Sequence, residues 1–301
     1  MCDKRGSMGR PIKKKTTAVL VLWLLIMLMF SGCDSGSKES SAGADTKAVP
    51  ALMVECLSVG KADAFVLYTE NSCVILDCGE KNDGKDIVNF LDSKGINKID
   101  YLIISHFDKD HIGGAKKLIN SKTIDKVYVT YRTKTTGKTE DFDEAIYGAG
   151  LESEEIRKET EFELDGIGYR IFPPLLESYG SDDDSNDSSL VVKVIAGEKS
   201  MLFAGDAENR RLSELIQNED IKADILKVPH HGREETLSEM FIGHVNPAYA
   251  VITSSDEEKE DEGIMNILKA QKVKTFLTRE GSVTIKIDKN EILITQEKSN
   301  E

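Results

Sequence analysis

Tyr101-Leu102-Ile103-Ile104-Ser105-His106-Phe107-Asp108-Lys109-Asp110-His111-Ile112-Gly113-Gly114 is the stretch that decides the fold. Residues 101–104 are apolar and read as a short strand covered on both faces. Two imidazoles and two carboxylates follow within six residues: His106, Asp108, Asp110 and His111. Gly113-Gly114 then breaks the pattern and opens a helix expected over 115–120. A strand-to-loop edge lets such groups project without burying unpaired charge. Crowded together they repel one another or lose solvation unless a cation sits between them. Imidazole with carboxylate suits zinc, manganese or iron.

Outward from this stretch, strands and helices alternate. Strands are expected at 52–58, 64–68 and 73–76, the last ending in Asp77-Cys78-Gly79, with a helix over 85–94 that stops at Gly95. After the central strand come a strand at 126–130, a helix at 141–147, and strands at 161–164 and 169–172 closed by Pro173-Pro174. A polar loop, 177–189, delivers into a strand at 190–195. The next strand, 201–204, ends in Gly205-Asp206. A helix over 208–217 leads to a strand at 223–228 that runs into Pro229-His230-His231-Gly232. A helix at 237–242, a strand at 249–253, an acidic loop at 255–262, a helix at 263–270, a strand at 275–277 and a hairpin of 282–287 with 291–295 complete the chain. This pattern defines a mixed α/β class, and 51–297 reads as one domain.

Three strand ends supply chemistry: His106/Asp108/Asp110/His111, then Asp206, then His230/His231. Far apart in sequence, they act together only if the fold converges them. Asp206 alone could cap the following helix. His244, with no partner nearby, reads as a surface histidine.

The 301 residues carry a formal net charge of −14. Lys4, Arg5, Arg10 and Lys13-Lys14-Lys15 form a basic head before an unbroken apolar run, 18–30. That run is short for a membrane span and reads as a signal-peptide core, which makes 1–32 a signal peptide. Phe30-Ser31-Gly32-Cys33 is similar to a bacterial lipobox. The similarity implies cleavage before Cys33 and lipid on its thiol, so the body is expected outside the cytoplasm, anchored to the bacterial cell membrane. Residues 33–50, rich in Ser, Gly, Ala, Asp and Lys, read as a flexible tether. Loss of 1–32 leaves 33 basic and 52 acidic residues, a net of −19. Such a surface repels polyanions unless basic groups cluster locally. Cys56, Cys73 and Cys78 lie on apolar strands and read as small buried residues. No Gly-x-Ser-x-Gly elbow is present.

The metal-type run resembles the first motif of the metallo-β-lactamase superfamily, His-x-His-x-Asp-His, with Asp108 in place of the second histidine. That variant is similar to the soluble domain of ComEC-type DNA-uptake proteins. Asn186-Asp187-Ser188-Ser189-Leu190-Val191, Phe203-Ala204-Gly205-Asp206 and Leu226-Lys227-Val228-Pro229-His230-His231-Gly232 resemble successive motifs of the same group. The resemblance implies a four-layer αβ/βα sandwich and one or two divalent ions, zinc or manganese. It implies His106 and Asp108 on one ion, Asp110, His111 and His230 on a second, and Asp206 bridging them. Asp110 and His231 would take catalytic parts, His231 as a supporting group or a proton donor, although the adjacent histidines are not separable from sequence. Asn186 stands where the superfamily places a third metal histidine. Arg233 replaces a usual serine, and the segment 254–259 lacks the Gly-His-Pro histidine.

The implied activity is hydrolysis by a metal-bound hydroxide, with a small-molecule or nucleic-acid phosphoester as substrate and no protein partner inferred. The alternatives are an ester, lactone or β-lactam hydrolase on the same fold, and a non-catalytic metal-binding surface lipoprotein.

Overall fold

A computed structural model describes residues 50–179 and 185–297. The signal segment, the lipid site at Cys33 and the tether up to residue 49 lie outside the described residues. The order is β1 (Leu52–Cys56), β2 (Ala64–Tyr68), β3 (Cys73–Cys78), α1 (Asp83–Ser93), β4 (Lys98–Ile104), α2 (Lys109–Ile112), α3 (Ala115–Ile119), β5 (Thr123–Val129), α4 (Gly137–Gly148), β6 (Ser153–Glu155), β7 (Thr160–Leu164) and β8 (Ile167–Phe172). Then come β9 (Val191–Ala196), β10 (Lys199–Phe203), α5 (Asn209–Ile216), β11 (Ile225–Lys227), α6 (Ser238–Val245), β12 (Tyr249–Ile252), α7 (Glu262–Ala270), β13 (Lys274–Leu277), β14 (Val283–Asp288) and β15 (Glu291–Gln296).

Two mixed sheets result. One has the order β15-β14-β1-β2-β3-β4-β5-β6, the other β13-β12-β11-β10-β9-β8-β7. Alternation along each strand explains their packing. Val74 and Leu76 of β3 face Val192, Val194 and Phe203 of the second sheet in a shared core, while Cys73 and Ile75 face the helices. Phe65 and Phe203 meet edge to face across that core, centroids 5.1 Å apart. On the outer faces, Ile75, Leu102 and Ile104 pack with Ile87, Leu118 and Phe142. Leu202, Leu226 and Ala250 pack with Leu212, Phe241 and Leu268. The layers therefore run helix, sheet, sheet, helix.

β3-β4-β5 and β10-β11-β12-β13 are parallel runs. The loops after their carboxyl ends are where ligands bind in α/β sheets. The two edges are stitched together by Leu190 N–H, which donates to Ser105 O at 2.9 Å.

The expected helix at 115–120 is α3, and it is preceded by a separate turn, α2, that carries Asp110 and His111. Gly114 permits this double turn: a Cβ there would lie 2.2 Å from Cys78 O and 2.7 Å from Gly84 N. The metal-type loop thus packs directly on the end of β3 and the start of α1. Cys56, Cys73 and Cys78 are free and buried. The sequence does not announce β6; its Ser-Glu-Glu residues are exposed and have no apolar alternation to reveal it.

Candidate metal centre

Asp110 and His111 arrive on α2, Asp206 in the turn after β10, and His231 in the turn after β11. Asp206 Oδ2 lies 3.2 Å from His111 Nε2 and 3.2 Å from His231 Nε2. His231 Nε2 lies 3.5 Å from Asp110 Oδ2. One ligand atom from each of the four falls within 4.8 Å of all the others. Gly205, at φ 54°, makes the turn that delivers Asp206, because a Cβ there would meet Ser189 at 2.8 Å. The Asp206 N–H then donates to Ser189 Oγ at 3.1 Å.

Of the paired histidines, the structure brings His231, rather than the His230 that the resemblance implies, beside Asp110 and His111. Both residues adopt left-handed backbone angles, φ 47° at His230 and 52° at His231. This turns the neighbouring rings to different sides. His231 is buried and enters the quartet. His230 is half-buried, with Nδ1 3.4 Å from Glu208 Oε1, and forms a separate group with Glu208 and Glu235. His106 is fully buried, its ring centroid 4.0 Å from that of His111. Asp108 stands at the N-cap of α2, 3.7 Å from Lys134 Nζ. Among the described residues, His106 and Asp108 do not join a group of three close ligand atoms. Asn186 donates to Glu208 Oε1 at 2.7 Å, on the His230 side.

Hydrogen bonds fix which imidazole nitrogens are free. Asp77 accepts from the Ser105 N–H at 2.7 Å, from the Ser105 hydroxyl at 2.6 Å and from His111 Nδ1 at 2.9 Å. The Ser105 proton is committed to Asp77, so its oxygen accepts from His106 Nδ1 at 3.1 Å. Likewise the Thr253 hydroxyl donates to Asp63 at 2.6 Å and accepts from His231 Nδ1 at 2.9 Å. All three rings therefore hold a proton on Nδ1, which leaves Nε2 as the atom each can offer to a cation. Each of those Nε2 atoms is buried without a hydrogen-bond partner. This is the tautomer a metal-ligating histidine needs.

Charge points the same way. Asp63, Asp77 and Asp206 are buried and Asp110 is partly so, and the buried lysine that pairs with them is Lys227. Lys227 Nζ lies 2.5 Å from Asp63 Oδ2 and 3.5 Å from Asp206 Oδ1 and donates to Gly205 O at 3.1 Å. Burial alone would lower its pKa, but Asp63 and Asp206 hold it above the usual lysine value. Burial would raise the Asp206 carboxyl, yet His231, His111 and Lys227 hold it well below the ordinary range. The His111 and His231 rings are raised against burial, chiefly by Asp206. His106 behaves oppositely: burial, aided by His111, pushes it down to about 4. Extra positive charge is thus called for between the carboxylates, and a divalent cation at these Nε2 atoms supplies it. The residues fit a metal.

Asp63, Asp77, Thr253 and Lys227 were not singled out from the sequence. Asp77 ends a strand in the same way as the groups that were. Lys227, a charge inside the apolar run Ile225-Leu226-Lys227-Val228, is a signal that could have been read.

A cluster of carboxylates and Nδ1-protonated imidazoles at the lip of a two-sheet sandwich defines a metal-binding type of site on an α/β fold. The chain belongs to the metallo-beta-lactamase superfamily, whose family model matches residues 57–252. It is 28% identical over 207 residues to ComE operon protein 3 of Bacillus subtilis (strain 168), an alignment covering 68% of this chain and 26% of that protein. It is 25% identical over 228 residues to competence protein ComA of Neisseria gonorrhoeae, covering 73% and 30%. With recombination protein 2 of Haemophilus influenzae the identity is 28% over 210 residues, covering 68% and 24%. The chain thus spans 24–30% of the length of these relatives. Among solved structures, the metallo-beta-lactamase fold protein YhfI from Bacillus subtilis superposes with a TM-score of 0.52 at 11% identity, covering 82% of this chain and 100% of that one. At that identity the likeness speaks for the fold.

Proposed function

We propose that the chain is a divalent-metal-dependent hydrolase of phosphate esters, with nucleic-acid-type phosphodiesters foremost. The quartet of Asp110, His111, Asp206 and His231 carries this reading. Two carboxylates with two imidazoles make a donor set richer in oxygen than a three-histidine site, suited to zinc or manganese at phosphate centres. The names of the relatives, competence and recombination proteins, favour a nucleic-acid ester over a carbon ester.

Asp206, His111, His231 and Asp110 would hold the ion, with His106 and Asp108 beside it. When bound, the cation supplies Lewis acidity, which activates water and offsets charge on phosphoryl oxygens. Asp110, the least buried of the four, would orient incoming water and accept its proton. His230, at the rim beside Glu208, is the imidazole left to return a proton to the departing oxygen. The anchor reading stands with this one: a lipid on Cys33 would hold the domain outside the cytoplasmic membrane.

Two measurements test the proposal. Purified full-length chain should cleave bis-p-nitrophenyl phosphate with Mn²⁺ or Zn²⁺, faster than nitrocefin or a lactone. Asp206→Ala should reduce that rate to background, and equal activity in the variant removes the reading. Cys33→Ala should abolish incorporation of labelled fatty acid into the chain; unchanged labelling discards the lipid anchor.

A further inference from the structure

We propose that Asp63 is a positioning residue shared by both imidazoles of the quartet, and that Lys227 is its buried counter-ion. The inference rests on the quartet being a metal site. Asp63 lies in the turn between β1 and β2, between Ala62 and Ala64, and is 1% exposed. Its N–H donates to Asp110 O at 3.0 Å, and its carbonyl accepts from the Gly79 N–H at 2.7 Å. The turn is therefore tied to two loops of the first sheet, while the side chain reaches the second. Oδ1 accepts the Thr253 hydroxyl proton and lies 3.5 Å from His231 Nδ1. Oδ2 contacts Lys227 and lies 3.8 Å from His111 Nδ1.

One carboxylate thus stands behind both rings, on the side away from the Nε2 atoms. Negative charge there orients each ring and makes its Nε2 a stronger donor to a cation. His111 also has Asp77, whereas His231 reaches a carboxylate through Thr253 and Asp63. Asp63 and Lys227 are both buried, so Asp63 acts through the imidazoles and Lys227 through its contacts with Asp63 and Asp206. The pair also spans the two halves of the fold, so correct assembly of the sheets and correct aim of His231 depend on the same contact.

Co²⁺ is the probe, with affinity read by chelator competition and geometry by its visible absorption, on purified full-length variants. Asp63→Asn should weaken Co²⁺ binding roughly 10–100-fold and shift the absorption bands. It also strands Lys227 and should lower the melting temperature. The double variant Asp63→Asn/Lys227→Met should recover melting temperature yet remain weaker for Co²⁺ than Lys227→Met alone. Equal affinity of those two overturns the proposal, because Asp63 would then matter only as the partner of Lys227. Thr253→Val cuts the link to His231 with both ion-pair residues in place and should also weaken binding; wild-type affinity there overturns the proposal too. Since ion uptake is the readout, activity on some other ester class would sink only the phosphoester reading. A wild-type chain that takes up no Co²⁺ sinks both.

Discussion

Left-handed backbone at two successive residues, His230 and His231, carries a cost of about 1–2 kcal/mol each for side chains with a Cβ. The surrounding contacts hold it: His230 N–H donates to Gly205 O at 3.2 Å, and His231 Nδ1 is gripped by Thr253. Strain retained in this way has a structural consequence, the divergence of two adjacent rings. It leads to a prediction at the same scale. His231→Ala should lower metal content below one ion per chain under conditions that saturate the wild type, whereas His230→Ala should keep the ion and lose turnover. Metal analysis of the two variants checks it, and the reverse pattern would return His230 to the quartet. The chemical types of these residues were legible in the sequence, but their assignment was not. A dipeptide of identical side chains offers no periodicity, and the deciding φ angles come from tertiary contacts. Asp63 was hidden differently. It sits between two alanines in a turn, and nothing local distinguishes it from a solvated turn aspartate until Lys227 arrives from the other sheet.

At the level of elements, the sequence is most legible where burial sets the pattern. β2 and the central apolar run of β4 follow from apolar content alone. β4 nonetheless begins at Lys98, before the apolar run, because its first residues pair with β5 while Lys98 stays exposed beside Asp100 and Asp125. The metal-type loop shows what pattern misses. A single helix is expected after Gly113-Gly114, yet α2 forms before them, starting just after Asp108, and swings Asp110 and His111 toward the second sheet. Its geometry depends on a glycine contact invisible in one dimension, the close approach of Gly114 to β3 and Gly84. Polar elements were lost for the opposite reason. β6 has no apolar residue, and α4 extends to Gly137 on the strength of a reciprocal Thr136–Thr139 cap rather than a hydrophobic face.

The whole molecule sets a condition on any nucleic-acid substrate through its net charge of −14. Two polyanions repel, and salt weakens that repulsion: the screening length is about 10 Å at 0.1 M ionic strength and ~30 Å at 0.01 M. A strand approaching the site would therefore meet an unfavourable field at low salt and a weaker one near physiological salt. The acidic surface is not uniform. A cleft of about 590 Å³ beside Gly113 is lined by Lys81, Lys85, Lys116 and Lys117, although Asp141 also lines it and pairs with Lys116 at 3.0 Å. The global field and this local one predict opposite slopes, and partial neutralisation of the lysines leaves the global term dominant. On an oligonucleotide, kcat/KM should rise several-fold between about 0.01 and 0.15 M salt. On bis-p-nitrophenyl phosphate, which carries a single charge, it should change by less than about twofold, since a monoanion feels far less of the field. Steady-state kinetics on both substrates across that range provide the check. A fall with salt on the oligonucleotide alone is the signature of counterion release from a basic track; it would show that the lysine cleft, rather than the overall charge, governs approach.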